Sequence, residues 1–390
     1  MNVIASLQPE FERLQKVSIR TGVAALALCA LGAVLNPKRF FEAYLMAYVF
    51  WLGVALGCQA ILMIHHLAGG RWGFAIRRQL EAASKTLPLL VVLFIPCLLG
   101  LHSLYIWTSP AALDADALLR HKQPYLNAPF FVVRAAIYFT VWLGTMALLN
   151  RASLTQDQTP SREATRRLTL ISGVGLGLYM LTMTFASIDW MMSLEPAWFS
   201  TIYGLLIMTG QVLGAFAFVI VVAAFLVKYK PYTEVILPLH FHDLGNFLLT
   251  FVIFWAYMAF SQFLIIWSGN LPDENSWYLH RLVGGWKGAG VMLIILHFFV
   301  PFLLLLSRDL KRRSSWLSKI ARMVFVMGLV DIFWIVAPGF GRPAFQVYWM
   351  DIVAPIGIGG VWIAMFIKQL KSQSTVPVHD SRIEEEFEWA

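Results

Sequence analysis

The sequence predicts an all-α integral membrane protein with about ten transmembrane helices, and three observations support that fold class. Hydrophobic residues make up 59% of the 390 residues. Charged residues make up 13%, which is about half the share found in soluble globular domains. The apolar residues gather in about ten segments, and each has roughly the 20 residues that a helix needs to cross a bilayer.

The predicted spans follow one another along the chain with no long soluble domain between them. They cover roughly 18–36, 41–67, 88–108, 129–149, 168–190, 199–227, 243–268, 287–306, 318–338 and 349–369. At about 1.5 Å per residue, each is long enough to cross a hydrocarbon core of about 30 Å. The first span is the weakest, because its uninterrupted apolar run covers only Thr21 to Leu35. The second, sixth and seventh are long, so we expect them to tilt or to extend past the lipid.

Residues 1–371 are therefore predicted to form one polytopic membrane domain, followed by a polar tail at 372–390. The tail contains four glutamates near its end, Glu384, Glu385, Glu386 and Glu388. Its apolar content is too low for it to fold alone, so we expect an acidic, solvated cytoplasmic tail. We expect no cleavable signal peptide, because the first 20 residues are polar and the apolar run after them lacks a clear cleavage site.

The distribution of lysine and arginine predicts the orientation of the spans. Of the 30 basic residues, 22 fall on the side that holds both chain ends, and 8 fall on the other side. Because cytoplasmic loops carry an excess of Lys and Arg, both termini are predicted to be cytoplasmic, in a bacterial inner membrane. The net charge of +8 then belongs to a basic collar that faces anionic lipid, and it requires no nucleic-acid partner.

The cysteines and histidines argue against several kinds of redox centre in this chain. Cys29, Cys58 and Cys97 lie inside predicted spans, and there is neither a CxxCH motif nor a cluster of four cysteines. A b-type haem needs two histidines at matching depth, and the two deepest, His102 and His297, match poorly. We therefore predict no metal site and no covalently bound cofactor. A redox role would require the chain to hold quinol or to move protons, with the electron carriers in other subunits.

Asp331 and His297 are the strongest candidates for function, because ionisable residues are rare at membrane depth. Asp331 lies near the middle of the ninth span, in MGLVDIFWIV, where a carboxylate costs about 2.5–3.5 kcal/mol on insertion scales. It is expected to face the bundle and to be paired or protonated. His297 lies at a similar depth in the eighth span, so we predict that the two groups pass a proton, since imidazole titrates near neutrality. The alternatives are a hydrogen bond that joins two helices and a neutral histidine bonded to a carbonyl.

The seventh span is predicted to continue this proton path toward the cytoplasm. It begins with His240, His242 and Asp243 at the cytoplasmic face. Farther along, Tyr257 and Ser261 are four residues apart, so they share a helix face and form part of a broken polar stripe. Ordered water would link this stripe to the central pair. Alternatively, Asp243 only caps the seventh helix.

A second polar group is predicted near the outer boundary. It comprises Asp189 in the fifth span, His102 in the third, Arg134 in the fourth and Asp351 in the tenth. Glu195 lies in the loop after the fifth span, and that loop has no Lys or Arg. Carboxylates and imidazoles can take protons from a quinol headgroup, so this group predicts an outer quinol pocket or a proton exit. Ordinary interfacial charge is the alternative for each residue.

Four stretches of the sequence resemble the F subunit of bacterial alternative complex III, within the broad family of polysulfide- and nitrite-reductase-type membrane anchors. They read IHHLAGGRWGFAIRRQLEA at 64–82, SIDWMMSLEPAWFSTIYG at 187–204, HFHDLGNFLLTFVIFWAYMAFSQFLIIWSGNLPDE at 240–274 and WYLHRLVGGWKG at 277–288. The stretch in the seventh span is the most specific, and the resemblance extends from the first span to the tenth.

The resemblance implies a fold of two four-helix bundles plus flanking helices. It also implies a quinol:cytochrome c oxidoreductase complex, which passes electrons to cytochrome c or directly to a terminal oxidase. In that family the haems and iron–sulfur clusters sit in partner subunits, and a homologous subunit binds quinol or menaquinol. The subunit that this chain resembles is proposed to add a proton pathway.

The sequence therefore predicts an integral membrane subunit of a quinol-oxidising respiratory complex, which conducts protons and is not catalytic alone. The alternatives are a proton-coupled secondary transporter and a purely structural membrane anchor. Transporters typically contain paired broken helices at mid-membrane. Most prolines here lie near span ends, with Pro96 the exception, and this pattern disfavours the transporter.

Overall fold

The structure is a computed structural model that describes residues 7–158, 162–230 and 232–372. Its described part is 86% helical and contains ten helices that are long and apolar enough to cross a membrane. The prediction of an all-α membrane protein with about ten spans is thus confirmed. Of the predicted polar tail, only Ser372 is among the described residues, and 373–390 lie outside them.

The ten membrane helices are numbered here in chain order. They are α1 (Gln8–Leu35), α2 (Pro37–Ala68), α3 (Arg77–Leu99), α4 (Ala128–Gln158), α5 (Glu163–Leu194), α6 (Tyr203–Leu226), α7 (Pro238–Gly269), α8 (Trp286–Leu306), α9 (Ser314–Phe340) and α10 (Trp349–Lys371). Each predicted span overlaps one of these helices. The third differs most, because α3 begins at Arg77, well before the predicted start at residue 88.

Eight of the ten helices pack as two rings of four. In the first ring, α2 and α4 each pack on α3 and α5. In the second, α6 and α8 each pack on α7 and α9. The rings join where α6 packs on α2 and α5, while α1 and α10 pack on each other and flank α2. This arrangement matches the two four-helix bundles plus flanking helices that the resemblance implies.

The two helices that join the rings form the core. Within the most apolar 18-residue stretch of each helix, 94% of the residues are buried in α2 and 78% in α6. Small residues allow this close contact. A Cβ atom on Gly57 of α2 would lie 2.3 Å from the carbonyl oxygen of Gln211 in α6. On the other side of α2, a Cβ atom on Gly22 of α1 would lie 2.6 Å from the backbone nitrogen of Val361 in α10.

Prolines coincide with irregular backbone inside two helices. In α3, Pro96 has no N–H to donate to the carbonyl of Val92, and the helix is interrupted at Phe94. In α8, a π-helical turn at Ile294–Phe299 lies directly before Pro301. Pro96 was the exception to the pattern of prolines near span ends, and the turn before Pro301 shows that a proline closer to a span end also coincides with irregular backbone.

The ten helices define two faces of the molecule. If each of the ten helices crosses the membrane, the even number of crossings places both ends of the described chain at one face. That face also carries the loops that follow the even-numbered helices, where most of the basic residues lie. We call it the basic face, and we call the other side the opposite face.

Candidate functional site

Asp331 and His297 meet at one buried site between the two rings. Asp331 is 6% exposed and His297 is 1% exposed. The indole nitrogen of Trp255 donates to Oδ2 of Asp331 over 3.0 Å. The same indole makes an edge contact with the His297 ring, with 4.5 Å between the ring centroids. Trp255 on α7 therefore touches both groups that the sequence predicts to act together.

A small cavity is lined by both groups. Its volume is about 20 Å³, which is room for about one water molecule. His297, Asp331 and Gln211 line it, together with four glycines that leave the space open, Gly53, Gly210, Gly214 and Gly328. Nδ1 of His297 has no hydrogen-bond partner among the described residues. A water in this cavity would have an imidazole, a carboxyl and an amide within its walls, so the arrangement suits proton exchange between Asp331 and His297.

The local sequence of α8 explains how His297 reaches the cavity. Pro301 cannot donate the hydrogen bond that the carbonyl of His297 would accept in an α-helix. The backbone instead forms the π-helical turn that contains His297. Such turns add a residue to the helix, change which side chains face inward and occur frequently at functional sites.

A chain of polar groups leads from Asp331 toward the opposite face. Tyr203, buried at the start of α6, lies within electrostatic reach of Asp331, Arg281 and Glu195. Arg281 donates to the carbonyl of Ile335, which lies about one helical turn beyond Asp331 on α9. Tyr203 and Arg281 thus lie between the central site and the surface.

This polar chain reaches solvent at His280. Nδ1 of His280 lies 3.1 Å from Oε2 of Glu195, and the His280 side chain is 59% exposed. Arg281 donates to Oε1 of Glu195 over 3.0 Å, and its guanidinium stacks on Trp277 at 3.6 Å. Burial lowers the pKa of Arg281, and the neighbouring Glu195 carboxylate opposes that shift. The guanidinium stays charged and fixes the position of Glu195.

The predicted residues at the start of α7 form a separate group at the basic face. Asp243 forms a 3.0 Å ion pair with Arg71, and His242 lies 3.6 Å from Asp243. Nδ1 of His240 accepts from the backbone N–H of Leu237, so His240 caps its own helix. About 18 Å of helix separates Asp243 from Trp255. The buried residues of that stretch are apolar, Leu244, Leu248 and Val252, apart from Gly245.

Tyr257 does not line the central cavity. Its side chain is 61% exposed and points to the outside of the bundle. The buried face of α7 instead runs through Leu248, Val252, Trp255 and Met258. Tyr257 is two residues from Trp255, so it lies on nearly the opposite side of the helix. The structure does not bring Tyr257 to the central pair, which corrects its predicted place in the path.

The four residues of the predicted outer group do not converge. Arg134 and Asp189 form a buried bidentate pair, with distances of 2.8 and 2.9 Å, and the Tyr138 hydroxyl donates to the same carboxylate. Asp351 belongs to a separate cluster around Arg342. His102 is exposed on the short helix Leu101–Leu104, which follows α3. The structure therefore places the residues of the predicted outer quinol pocket or proton exit in a buried ion pair and two separate positions.

Asp351 is held by a buried arginine at the opposite face. Arg342 donates to Asp351 over 2.8 Å and to Glu42 over 3.1 Å. Although burial lowers it, the pKa of Arg342 is raised overall, because both carboxylates favour the charged guanidinium. This cluster ties the loop after α9 to the starts of α2 and α10.

Sequence reasoning missed a buried charge network at the basic face. Arg77 and Arg78 fall between the second and third predicted spans, but they lie on a helical segment, Arg77–Ser84, whose eight residues are all buried. Both arginines donate to Glu81, at 3.0 and 2.8 Å. They also reach α4, where Arg77 donates to Gln156 over 2.7 Å. The spacing of Arg77 and Glu81, four residues apart, was the signal that predicts such a pairing on a helix.

Comparison with known proteins adds no relative. No family model matches this chain, and no curated protein matches it. Among the described residues, no group of three or more His, Cys, Asp or Glu side chains is placed to hold a metal ion. The resemblance read from the sequence motifs remains a prediction, so the functional argument rests on the chemistry of the central site.

Proposed function

We propose that this chain is an integral membrane subunit of a quinol-oxidising respiratory complex and that it provides a proton-transfer route. The observation that carries the proposal is the meeting of Asp331 and His297 at one buried, water-sized cavity. Ionisable side chains inside a membrane bundle are costly, and they mark proton or substrate paths. Trp255 supplies one hydrogen bond to the carboxyl but no compensating positive charge. Asp331 and His297 are therefore better suited to proton uptake and release than a carboxylate held by a positive charge would be.

The proposed route opens toward the opposite face. Glu195 and His280 form the surface end, and Tyr203 and Arg281 lie between that end and Asp331. Toward the basic face, the buried apolar residues of α7 form a barrier. In the proposal, protons reach the central pair from the opposite face, which the basic-residue distribution predicts to be the outer one.

Quinol is assigned to a partner subunit in this proposal. The central cavity of about 20 Å³ is far smaller than the several hundred Å³ that enclose a typical small ligand. Arg134 and Asp189 are bonded to each other instead of being directed at a ligand. The haems, the iron–sulfur clusters and the quinol pocket would then lie in partner subunits, and this chain would carry protons released or taken up there.

The test is Asp331→Asn in the intact complex. Asparagine keeps the size and hydrogen bonding of the side chain but cannot titrate. We expect normal assembly, with the yield of protons per electron reduced, or turnover slowed by on the order of 100-fold if the two are tightly coupled. The matched control is Thr209→Val, because Thr209 is also buried in the second ring but donates only to its own helix. Full turnover and full proton yield in Asp331→Asn would contradict the proposal.

The proton-coupled transporter is the second candidate, and the irregular helices α3 and α8 are the observation that favours it. Transporter sites form where two such helices meet. Here the π-helical turn of α8 lines the cavity, but no residue of α3 does. Purification in mild detergent separates the two candidates, because co-isolation with haem-bearing partners supports the complex and isolation alone supports the transporter. Asp331→Leu tests the remaining alternative, a purely structural membrane anchor. If Asp331 only joins helices, the main effect of this substitution would be lost assembly.

A further inference from the structure

A dense basic patch lies at the basic face between α8 and α9. Residues 308–322 contain six basic side chains and a single acidic one, Asp309. Five of the six are exposed, namely Arg308, Arg312, Arg313, Lys319 and Arg322. We call these five, together with Trp316, the Arg308–Arg322 patch. The buried arginines described above are paired with carboxylates, whereas the basic residues of this patch are exposed.

The cations of the patch are not neutralised by the protein itself. Among the described residues, no salt bridge involves any of the five. Lys311, the sixth basic residue, is buried and donates to Asn246 over 2.6 Å, which anchors the short helix Arg308–Arg312 against α7. The patch therefore carries uncompensated positive charge, and the short helix that holds part of it is anchored to α7.

Apolar side chains border the patch on its membrane side. Leu303 and Leu306, in the last turn of α8, are 62% and 56% exposed. Trp316 is 46% exposed, and the Lys319 ammonium lies 4.2 Å from its ring centroid. Tryptophan prefers the level of the lipid headgroups. A ligand that fits here has an anionic head for the arginines and an apolar body for the leucines.

We propose that the Arg308–Arg322 patch is a binding site for an anionic phospholipid, whose phosphodiester headgroup lies among Arg308, Arg312 and Arg313. Clusters of basic residues next to a transmembrane helix attract anionic headgroups, with each Lys or Arg adding to the attraction. Arginine also forks two N–H donors onto phosphate oxygens. The acyl chains lie along the exposed leucines of α8. A free phosphate would bind to the arginines but would make no apolar contacts with these leucines.

The test uses the full chain, partly delipidated in mild detergent, with lipid binding followed by native mass spectrometry. Phosphatidylglycerol should bind in preference to phosphatidylcholine. The triple variant Arg308→Gln, Arg312→Gln, Arg313→Gln should bind phosphatidylglycerol on the order of 100-fold more weakly. The control triple variant is Arg151→Gln, Arg166→Gln, Arg167→Gln, which removes the same charge from exposed positions of the same face. It should retain binding, and so should Arg→Lys at the three patch positions.

Three results would overturn the proposal. Equal binding of the two lipids would show that headgroup charge is not recognised. Equal losses in the two triple variants would assign the effect to the overall charge of the basic face. Full displacement of the lipid by millimolar inorganic phosphate would show a phosphate site without a lipid contribution. Since the three arginines are exposed, an unchanged gel-filtration profile is expected for every variant and shows that the fold is intact.

Discussion

At the scale of single residues, three buried arginines and the buried Asp331 differ in their partners. Arg134, Arg281 and Arg342 are buried and each is bonded to a carboxylate. Asp331 is buried with an indole as its hydrogen-bond partner. Paired charges of this kind hold helices together, whereas a carboxyl without a countercharge can change its protonation state. The difference in partner, more than depth alone, separates the structural charges from the functional candidate.

The Arg134–Asp189 pair gives a prediction for stability. Asp189→Asn leaves the buried Arg134 without its countercharge, so it should destabilise the protein by about 3–5 kcal/mol. Replacing both residues, as in Arg134→Met with Asp189→Leu, should recover much of that loss, because no buried charge remains. The thermal unfolding midpoint in mild detergent measures both. A double variant that is less stable than Asp189→Asn would contradict this account.

Lys311 gives a prediction for pH dependence. Burial lowers the pKa of Lys311, whereas lysines in the unfolded chain titrate near pH 10.4. Between these two pKa values the folded state binds fewer protons than the unfolded state, so stability rises with pH across that window. The unfolding midpoint of the wild type, measured relative to Lys311→Met, should therefore increase up to about pH 10.4. Lys228→Met, at an exposed position, is the control, and a falling difference would reverse the assignment.

At the scale of helices, the sequence predicted where the spans lie but not which way their polar residues point. Apolar runs of bilayer length locate helices, because lipid leaves few other ways to satisfy the backbone. Tyr257 was predicted to continue the proton path because it shares a helix face with Ser261, yet a rotation of about 200° relative to Trp255 turns it outward. The start of α3 was missed for another reason. The segment with Arg77 and Glu81 was predicted as a loop because it is charged. The partners on α4 that neutralise or bond these charges are distant in sequence.

The π-helical turn of α8 gives a prediction at this scale. Pro301→Ala supplies the N–H that the carbonyl of His297 lacks, so the turn can close to α-helical geometry. Loss of the extra residue would rotate His297 by about 100° away from the cavity. Proton-coupled turnover of the intact complex should then fall as in Asp331→Asn, with assembly retained. Pro355→Ala in α10 is the control, because it removes a proline from a helix that does not line the cavity. Unchanged turnover in Pro301→Ala would show that the turn is not required.

At the scale of the whole molecule, the two rings and the flanking pair account for all ten helices. The number of spans was predictable from composition, and the central pair was predictable from depth. The sequence did not predict the route from that pair to the surface. Glu195, Tyr203 and Arg281 lie on three different segments, and their proximity exists only after the second ring closes.

The orientation of the molecule in the membrane gives the last prediction. The three native cysteines are buried, so a variant with all three replaced provides a silent background. Single cysteines at Arg120 and Asp273 should react with a membrane-impermeant thiol reagent in whole cells, because the opposite face is predicted to be outside. Cysteines at Thr155 and Ser315 should react only after the cells are opened. The reverse pattern would invert the orientation and, with it, the side from which protons enter.

The contact between α1 and α10 also has a consequence for biosynthesis. Helices enter the membrane in the order of translation, but the partner that covers Gly22 is α10, which is made after the nine other described membrane helices. On α2, the indole N–H of Trp51 likewise has no access to its acceptor, the carbonyl of Pro355, until α10 is in place. The nascent chain must therefore hold α1 and α2 in the bilayer with one side uncovered until α10 has been inserted. During that interval, insertion chaperones and membrane proteases have their main opportunity to act on it.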